Sequence, residues 1–599
     1  MRTGGEIIID YLIKEGVEFV IGIPGHGCLA LFDALRDRVQ KNKIKYIQVM
    51  QEMDAVYIAD GYYRATGKPL AVITSIGPGA LNTIIGLATA FVDSTPTLVI
   101  MGDTHTNMRG VGVLQEIERK HDSDILSCFR PITKRCWRAE NVRQLPKIMR
   151  RAFNQMLSGR RGPVALAVPM DVQAAETDVE FEDGQNRAQN AVEALAEDIE
   201  KAVALMANAK RPVIVAGGGV YYSRKYKELQ ELAEYWGAAV VTTMAGKGCF
   251  PENHYLYGWH GGSKGTDVGN YLCRTADVIL ALGCRFADES TSSYRKGVTY
   301  NFPQTKLIHV DIDASEIGKN YSCDVGIIGD VAAVMPQLLQ GLKKSQIDFA
   351  DKRKDYIQDI KSHKEKWFKK LDGFLDETDS LTISHVLKTF KDIFPKDGYV
   401  VTSSGNTQAQ MLQEYCVETP GTFITTGGFS TMGFAFPAGM GVKLAKPKSN
   451  VAVFVGDGDF MMAMQEMSVL VQLGINVTII LLNNCGWLAI RDLQLDVFGK
   501  PYDFGCQFKA ADGSSYTPDF AKVAKAFGID SIRVSSKEEL RPSLEKAINS
   551  DKPFLVEVMV TTEYPYSGGK ATGWWDVPIP AYMTEKRKTY LKCVSEEKY

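Results

Sequence analysis

Short apolar runs rich in β-branched residues recur along the whole chain, and amphipathic stretches separate them. Residues 19–23, 70–74, 97–101 and 164–168 form a first set, and 213–216, 239–243, 278–282 and 307–310 a second. The third set is 399–402, 451–455, 477–482 and 554–558. None alternates apolar with polar, as a half-solvated sheet would. Such runs read as strands buried on both faces, and parallel strands need helix-length crossovers between them. The pattern predicts an α/β protein of three consecutive doubly wound parallel-sheet domains. The expected units are 1–175, 190–345 and 375–575, followed by a tail at 576–599. Polar residues 174–190 read as a linker. Residues 341–370, with ten lysines and arginines, read as a solvated helical connection into the third unit.

Charge excludes several partners. Sixty-nine basic and 71 acidic residues leave a net charge of −2 without single-sign blocks, so neither nucleic acid nor an anionic membrane is an expected partner. The N-terminal stretch reads as an amphipathic helix rather than a secretory signal, and no apolar run is long enough to span a bilayer. The 11 cysteines form no Cys-x-x-Cys pair and read as reduced thiols of a cytoplasmic enzyme.

The sharpest chemical signal lies in the third unit. The strand ending at Gly456-Asp457-Gly458 is separated from Asn483-Asn484 by 24 residues, room for one helix and one strand. Both turns then arrive at the carboxyl ends of parallel strands, where such sheets bind ligands. Asp457 and Asn484, with the backbone carbonyl of Gly486, offer hard oxygen ligands that suit Mg²⁺. Gly, Asp and Asn are also the usual turn residues, so either half alone reads as an ordinary loop. Glu52, opening a helix among apolar neighbours, reads either as a buried acid with a raised pKa or as a residue favoured by the helix dipole.

The Gly-Asp-Gly and Asn-Asn pair resembles the diphosphate–magnesium motif of thiamine diphosphate enzymes. The resemblance extends to the acetolactate synthase-like branch through QEMDAVYIADGYYRATGKP (51–69), TSIGPGALNTIIGLATAFVDSTP (74–96), LQEIERKHD (114–122), GCRFADE (283–289), HVDIDASEIGKN (309–320) and TMGFAFPAG (431–439). It implies pyrimidine-binding, central and diphosphate-binding domains in that order, with thiamine diphosphate and Mg²⁺ as cofactors. It also implies that Glu52 drives loss of the cofactor's C2 proton and that Met432 wedges between the cofactor rings. Gln115 is implied to hold a substrate oxygen. Gly25, Gly77, Asn82, Gly405, Asn406, Thr407, Gly456, Gly458 and Asp459 are implied as further cofactor-binding positions. The family usually has Gly-Gln-His where this chain has Gly405-Asn406-Thr407. Gly217-Gly218-Gly219, 258–261 and Arg285-Phe286 are similar to flavin-contacting stretches, which leaves FAD open. A homodimer or homotetramer is implied, since the pyrimidine and diphosphate ends of the cofactor meet different subunits.

The chain also departs from the branch. Acetolactate synthases end an Arg-Phe-Asp-Asp-Arg motif with the arginine that grips the carboxylate of the second 2-oxo acid. Here Arg285-Phe286-Ala287-Asp288-Glu289 puts a carboxylate there, which repels another carboxylate. Leu493 aligns with the family's specificity-setting tryptophan. Pro24-Gly25-His26-Gly27 replaces Pro-Gly-Gly. That loop and the Trp574-Trp575 segment resemble trihydroxycyclohexanedione hydrolases, with His26 a candidate proton shuttle. The expected function is therefore carboligation or cleavage beside a carbonyl, on 2-oxo acids or ketones. Hydrolysis of a cyclic 1,2-diketone and flavin-dependent oxidation of a 2-oxo acid are the alternatives. A non-enzymatic homologue is disfavoured, because Glu52 and the metal pair are retained.

Overall fold

The computed structural model describes residues 1–119, 124–180, 191–500, 503–565 and 577–596. Three six-stranded sheets, every neighbouring pair parallel, succeed one another along the chain with helices on their faces. In the first, β1 (Phe19–Gly22), β2 (Lys45–Gln48), β3 (Ala71–Thr74), β4 (Leu98–Asp103), β5 (Arg135–Arg138) and β6 (Val164–Pro169) lie in the order 2-1-3-4-6-5. The middle sheet contains β7 (Pro212–Ala216), β8 (Ala239–Thr242), β9 (Tyr257–His260), β10 (Val278–Leu282), β11 (Lys306–Asp311) and β12 (Val325–Ile328), ordered 9-8-7-10-11-12. The third comprises β13 (Tyr399–Thr402), β14 (Phe423–Thr425), β15 (Val451–Gly456), β16 (Thr478–Asn483), β17 (Asp530–Val534) and β18 (Phe554–Met559), ordered 14-13-15-16-18-17. The first and third units thus repeat one topology, and the middle unit has the 3-2-1-4-5-6 order of dinucleotide-binding folds. The expected α/β class with three parallel sheets is what the chain adopts.

Five helices position the site-bearing loops: α1 (Glu52–Thr66), α2 (Ile84–Asp93), α3 (Lys354–Glu377), α4 (Gly405–Glu414) and α5 (Ala435–Ala445). α1 crosses α5 at backbone contact, which two glycines permit. A Cβ on Gly61 would stand 2.0 Å from the Ala438 carbonyl oxygen, and one on Gly441 2.0 Å from that of Ile58. A buried cation locks the same contact. Arg64 of α1 pairs with Asp60, donates to Asp93 Oδ2 at 2.9 Å, and reaches the Thr425 carbonyl of the third unit at 2.8 Å. The middle unit is tied to the third by Lys247, whose Nζ donates to Glu252 Oε2 at 2.7 Å and to the Tyr415 carbonyl at 2.8 Å.

Two expectations about connections are corrected. Residues 174–190 are not wholly linker: Glu176–Thr177 pairs antiparallel with Arg2–Thr3, while 181–190 lie outside the described residues. The connection into the third unit is not simply solvated. α3 buries Tyr356, Ile360, Trp367 and Leu371, and the Trp367 indole donates to the Gln413 carbonyl at 3.1 Å. Its many lysines hid an apolar stripe at helical spacing. No helix among the described residues is long and apolar enough to cross a membrane.

Candidate functional site

The carboxyl ends of β15 and β16 bring the two predicted turns together. Asp457 Oδ1 accepts from the Gly458 amide at 2.8 Å, and its Oδ2 accepts from the Gly486 amide at 3.0 Å. Burial pushes the Asp457 carboxyl above its ordinary range, and those amides oppose the shift. The two asparagines divide their work. Asn483 donates to Glu557 Oε1 at 2.7 Å and Thr517 Oγ1 at 2.8 Å, so its amide is spent inside the fold. Asn484, just past the strand end, is half-buried. One carboxylate, one amide and the Gly486 carbonyl form an all-oxygen donor set that fits a hard divalent cation. Among the described residues no three His, Cys, Asp or Glu side chains cluster as a metal site.

Around this turn the third unit arranges its other candidates. Gly405, Asn406 and Thr407 open α4 at the end of β13, and Asn406 Nδ2 donates to Asp492 Oδ2 at 3.4 Å. Gly456 and Gly458 flank Asp457. Asp459 is buried, accepts from Ser403 and from the Gly433 amide, and is pushed by burial to about 6. Both its oxygens therefore serve to bind the Met432 loop to the start of α4. Met432 itself is half-buried in that loop. The loop is pinned to the first unit where the Gly427 amide donates to Asp93 Oδ2 at 2.7 Å and where the Thr89 and Thr431 hydroxyls meet at 2.7 Å.

In the first unit Glu52 opens α1 and is only 8% exposed; Asn82 Nδ2 donates to its Oε2 at 2.9 Å. The loop after β1 packs on residues 75–77. A Cβ on Gly25 would meet Ser75 at 2.6 Å and one on Gly27 would meet Ile76 at 2.0 Å, so both glycines beside His26 are required by close approach. The two glycines of Gly-His-Gly thus have a packing cause, which does not account for His26 between them, and the Trp574-Trp575 segment lies outside the described residues. His26 is exposed at this rim. Gln115 is exposed too, in left-handed conformation at φ 70°, with its carbonyl against Gly77. Two acids escaped the sequence reading. Glu466 Oε1 accepts from the Met50 amide at 2.8 Å and the Gln51 amide at 3.1 Å, just ahead of Glu52, and Asp54 accepts from Gln465 at 2.8 Å. A lone acid within the apolar stretch 460–473 was the signal available for Glu466.

The middle unit holds a cavity of about 170 Å³ at its topological switch point, between β7 and β10. Gly218, Gly219, Met244, Arg285, Asp311 and Glu289 are among its lining residues. The Gly217–Gly219 run lets the ends of β7 and β10 meet, since a Cβ on Gly217 would stand 2.2 Å from the Gly283 oxygen. Glu289 Oε1 lies 3.5 Å from Nε2 of the fully buried His260. Neither imidazole nitrogen makes a hydrogen bond among the described residues. Lys264 beside them donates to Gln408 of α4 at 3.2 Å; burial lowers its pKa, and the Glu289 charge opposes that. Leu493 is exposed on the helix Leu488–Phe498.

Comparison with known proteins defines the class. The N-terminal, central and C-terminal domain models of thiamine pyrophosphate enzymes match residues 2–123, 199–338 and 403–558. The chain belongs to the thiamine pyrophosphate enzyme family, in its acetolactate synthase-like branch. It is 34% identical over 577 residues to a probable acetolactate synthase large subunit of Methanocaldococcus jannaschii, covering 93% of this chain and 92% of that one. The acetolactate synthase large subunit of Corynebacterium glutamicum is 32% identical over 563 residues, 93% of this chain and 87% of its own. The isozyme 3 large subunit of Escherichia coli is 31% identical over 571 residues, 94% and 95% of the two chains.

Proposed function

We propose that this chain is a thiamine diphosphate- and Mg²⁺-dependent carboligase or lyase acting beside the carbonyl of a 2-oxo acid or ketone. The observation that carries the reading is the closing of the two turns on each other at the ends of β15 and β16, where Asp457 accepts from the Gly486 amide at 3.0 Å. Asp457, Asn484 and Gly486 hold the cation, and Gly405, Asn406 and Thr407 border the diphosphate. Thiamine diphosphate, when bound, supplies an electron sink for the bond that is made or broken. Glu52, oriented by Asn82, holds and moves the proton at its carboxyl oxygen. Met432 shapes the ring end of the site. His26 and Gln115, both on the rim, handle alkoxide protons and the substrate oxygen.

Glu289 supports a neutral carbonyl compound, rather than a second 2-oxo acid, as acceptor. FAD in a holding role would lie at the middle cavity, along its glycine backbone, Arg161 and Asp311, and would need that cavity to widen, since about 170 Å³ is too small for the whole group. The assembly is a homodimer or homotetramer. A cytoplasmic setting is supported by the 11 cysteines, all free.

The test is calorimetric titration of the purified chain with thiamine diphosphate, with and without Mg²⁺. Product analysis on pyruvate alone and on pyruvate with a neutral aldehyde comes next. Binding that ignores Mg²⁺, or no carbon–carbon bond made or broken in either mixture, overturns the reading; acetolactate as the main product in both overturns only the neutral acceptor. A flavin spectrum in the purified protein checks FAD, and flavin bleaching by substrate would favour the oxidase instead.

A further inference from the structure

Two acids meet where the first turn of α1 packs on the third unit. Asp54, one residue past Met53 in that turn, and Glu466, in the turn Met464–Glu466, are both fully buried. Each has one oxygen engaged: Glu466 Oε1 by the Met50 and Gln51 amides, Asp54 Oδ2 by Gln465. The remaining oxygens, Asp54 Oδ1 and Glu466 Oε2, are buried without a hydrogen-bond donor, although the two carboxyls lie within hydrogen-bonding reach of each other. Two facing carboxylates in such a place cannot both ionise, and one proton between them satisfies both orphaned oxygens. We propose that Asp54 and Glu466 share a proton, and that this acid pair holds the start of α1, and hence Glu52, against the third unit. They are positioning residues, acting through the backbone of residues 50–54.

The surroundings agree. Burial first, and then the Glu466 charge, push Asp54 up to about 9; burial pushes Glu466 to about 7, with the Met50 amide opposing. The pair titrates as a unit. Other titratable groups on the packed elements are engaged elsewhere. Glu52 is bonded to Asn82, Asp60 and Asp93 to Arg64, Asp459 to Ser403, and Lys443 to the Ser449 carbonyl; the Tyr57 hydroxyl, raised by its own burial, carries no charge near neutrality. Raised acids keep in the folded state a proton that the unfolded chain has lost. The pair's contribution is therefore complete below the unfolded carboxyl values of 3.8 and 4.5 and is lost as pH rises from there through about 7 to 9.

The test uses the full-length protein and the isosteric variants Asp54→Asn and Glu466→Gln, in which an amide donates the hydrogen bond without titrating. Wild-type-minus-variant infrared spectra should show, for both variants, a protonated carboxyl band at neutral pH that vanishes on alkaline titration; the subtraction removes the band of Glu414, a separate acid that burial pushes up to about 8. The melting temperature should fall with rising pH more steeply in the wild type than in Asp54→Asn. C2 proton exchange of added thiamine diphosphate should slow about 10-fold or more in Asp54→Ala and recover in Asp54→Asn. No protonated-carboxyl band in either wild-type-minus-variant spectrum overturns the shared proton. Wild-type exchange in Asp54→Ala, while Glu52→Gln is slow, overturns the positioning role. The exchange arm alone rests on the proposed role of Glu52: a wild-type rate in Glu52→Gln would sink that role and leave the infrared result standing. Should Asp54→Ala fail to fold, Asp54→Ser takes its place.

Discussion

The first and third units share one strand order, yet they spend their strand ends on opposite tasks. The third ends β15 and β16 in oxygen donors and amides, with Asp457 accepting from Gly458 and Gly486. The first ends β1 and β3 in glycine loops packed on each other, and its Glu52 stands at the start of a helix with a single amide partner. A duplicated scaffold therefore supplies two different surfaces, one suited to a charged metal–phosphate group and one to proton movement in an apolar setting. The chemistry lies in the loops, while the sheets only aim them. The comparison breaks most visibly at Asp457. On the proposed function, Asp457→Ala and Asn484→Ala should each abolish tight thiamine diphosphate binding, because the diphosphate would reach the protein largely through the metal. Asn483→Ala should instead lower stability, since its amide serves Glu557 and Thr517. Titration calorimetry beside thermal melts separates the two. Equal binding losses at 483 and 484 would mean that the division of labour between them is wrong.

On the first unit's side the matching change is Glu52→Gln. It should keep cofactor affinity and lose about 10²-fold in turnover, the usual cost of removing a positioned acid–base group. Quenched NMR of C2 exchange reads the step directly, and an unchanged rate removes Glu52 from it. Mixing inactive Glu52→Gln with inactive Asp457→Ala protein sharpens the comparison further. Activity should reappear if the two residues serve a site shared between protomers, and sedimentation should give at least a dimer.

Smaller effects come from the seam between the units. Gly61→Ala adds a methyl 2.0 Å from the Ala438 oxygen and must push α1 away from α5. It should cost ~1–3 kcal/mol in denaturant unfolding, as overpacked cores do. Gly373→Ala, on α3 with nothing within 4 Å of the added carbon, should be neutral or stabilising by up to ~1 kcal/mol. A neutral Gly61→Ala would show that the helix crossing is slack.

These seams also mark what the sequence could and could not reveal. The four central strands of each sheet were legible because they are buried on both faces and read as continuous apolar runs. Both edge strands of every sheet were not: Lys-Tyr-Ile-Gln in β2, Arg-Cys-Trp-Arg in β5 and Asp-Ser-Ile-Arg-Val in β17 carry the polar residues that an edge needs. The metal turn was legible because its two halves are close in sequence and sit at adjacent strand ends. Asp54 with Glu466, and Glu289 with His260, are pairs distant in the chain, and only the folded packing of separate elements brings their side chains together. Gly25 and Gly27 show the reverse case, in which a motif suggestive of chemistry has a steric cause.

The last expected effect concerns the middle unit, whose Glu289 faces the cavity where an acetolactate synthase would present an arginine. Glu289 is 21% exposed in its side chain and lies 3.5 Å from His260, so solvent weakens its field without cancelling it. A discounted charge reversal of ~1–2 kcal/mol corresponds to roughly 10-fold in rate. Glu289→Arg should therefore raise acetolactate formation from pyruvate about 10-fold and leave cleavage or ligation of a neutral diketone or aldehyde little improved. The arginine would also stand beside Lys264 and the buried His260, so Glu289→Gln belongs in the same series: it removes the repulsion without adding a cation. The ordering Arg above Gln above wild type, in a colorimetric acetoin assay run beside diketone consumption, is the expected result. Efficient acetolactate synthesis by the unmodified chain would mean that Glu289 does not face the acceptor carboxylate, and the acceptor would then be a second 2-oxo acid.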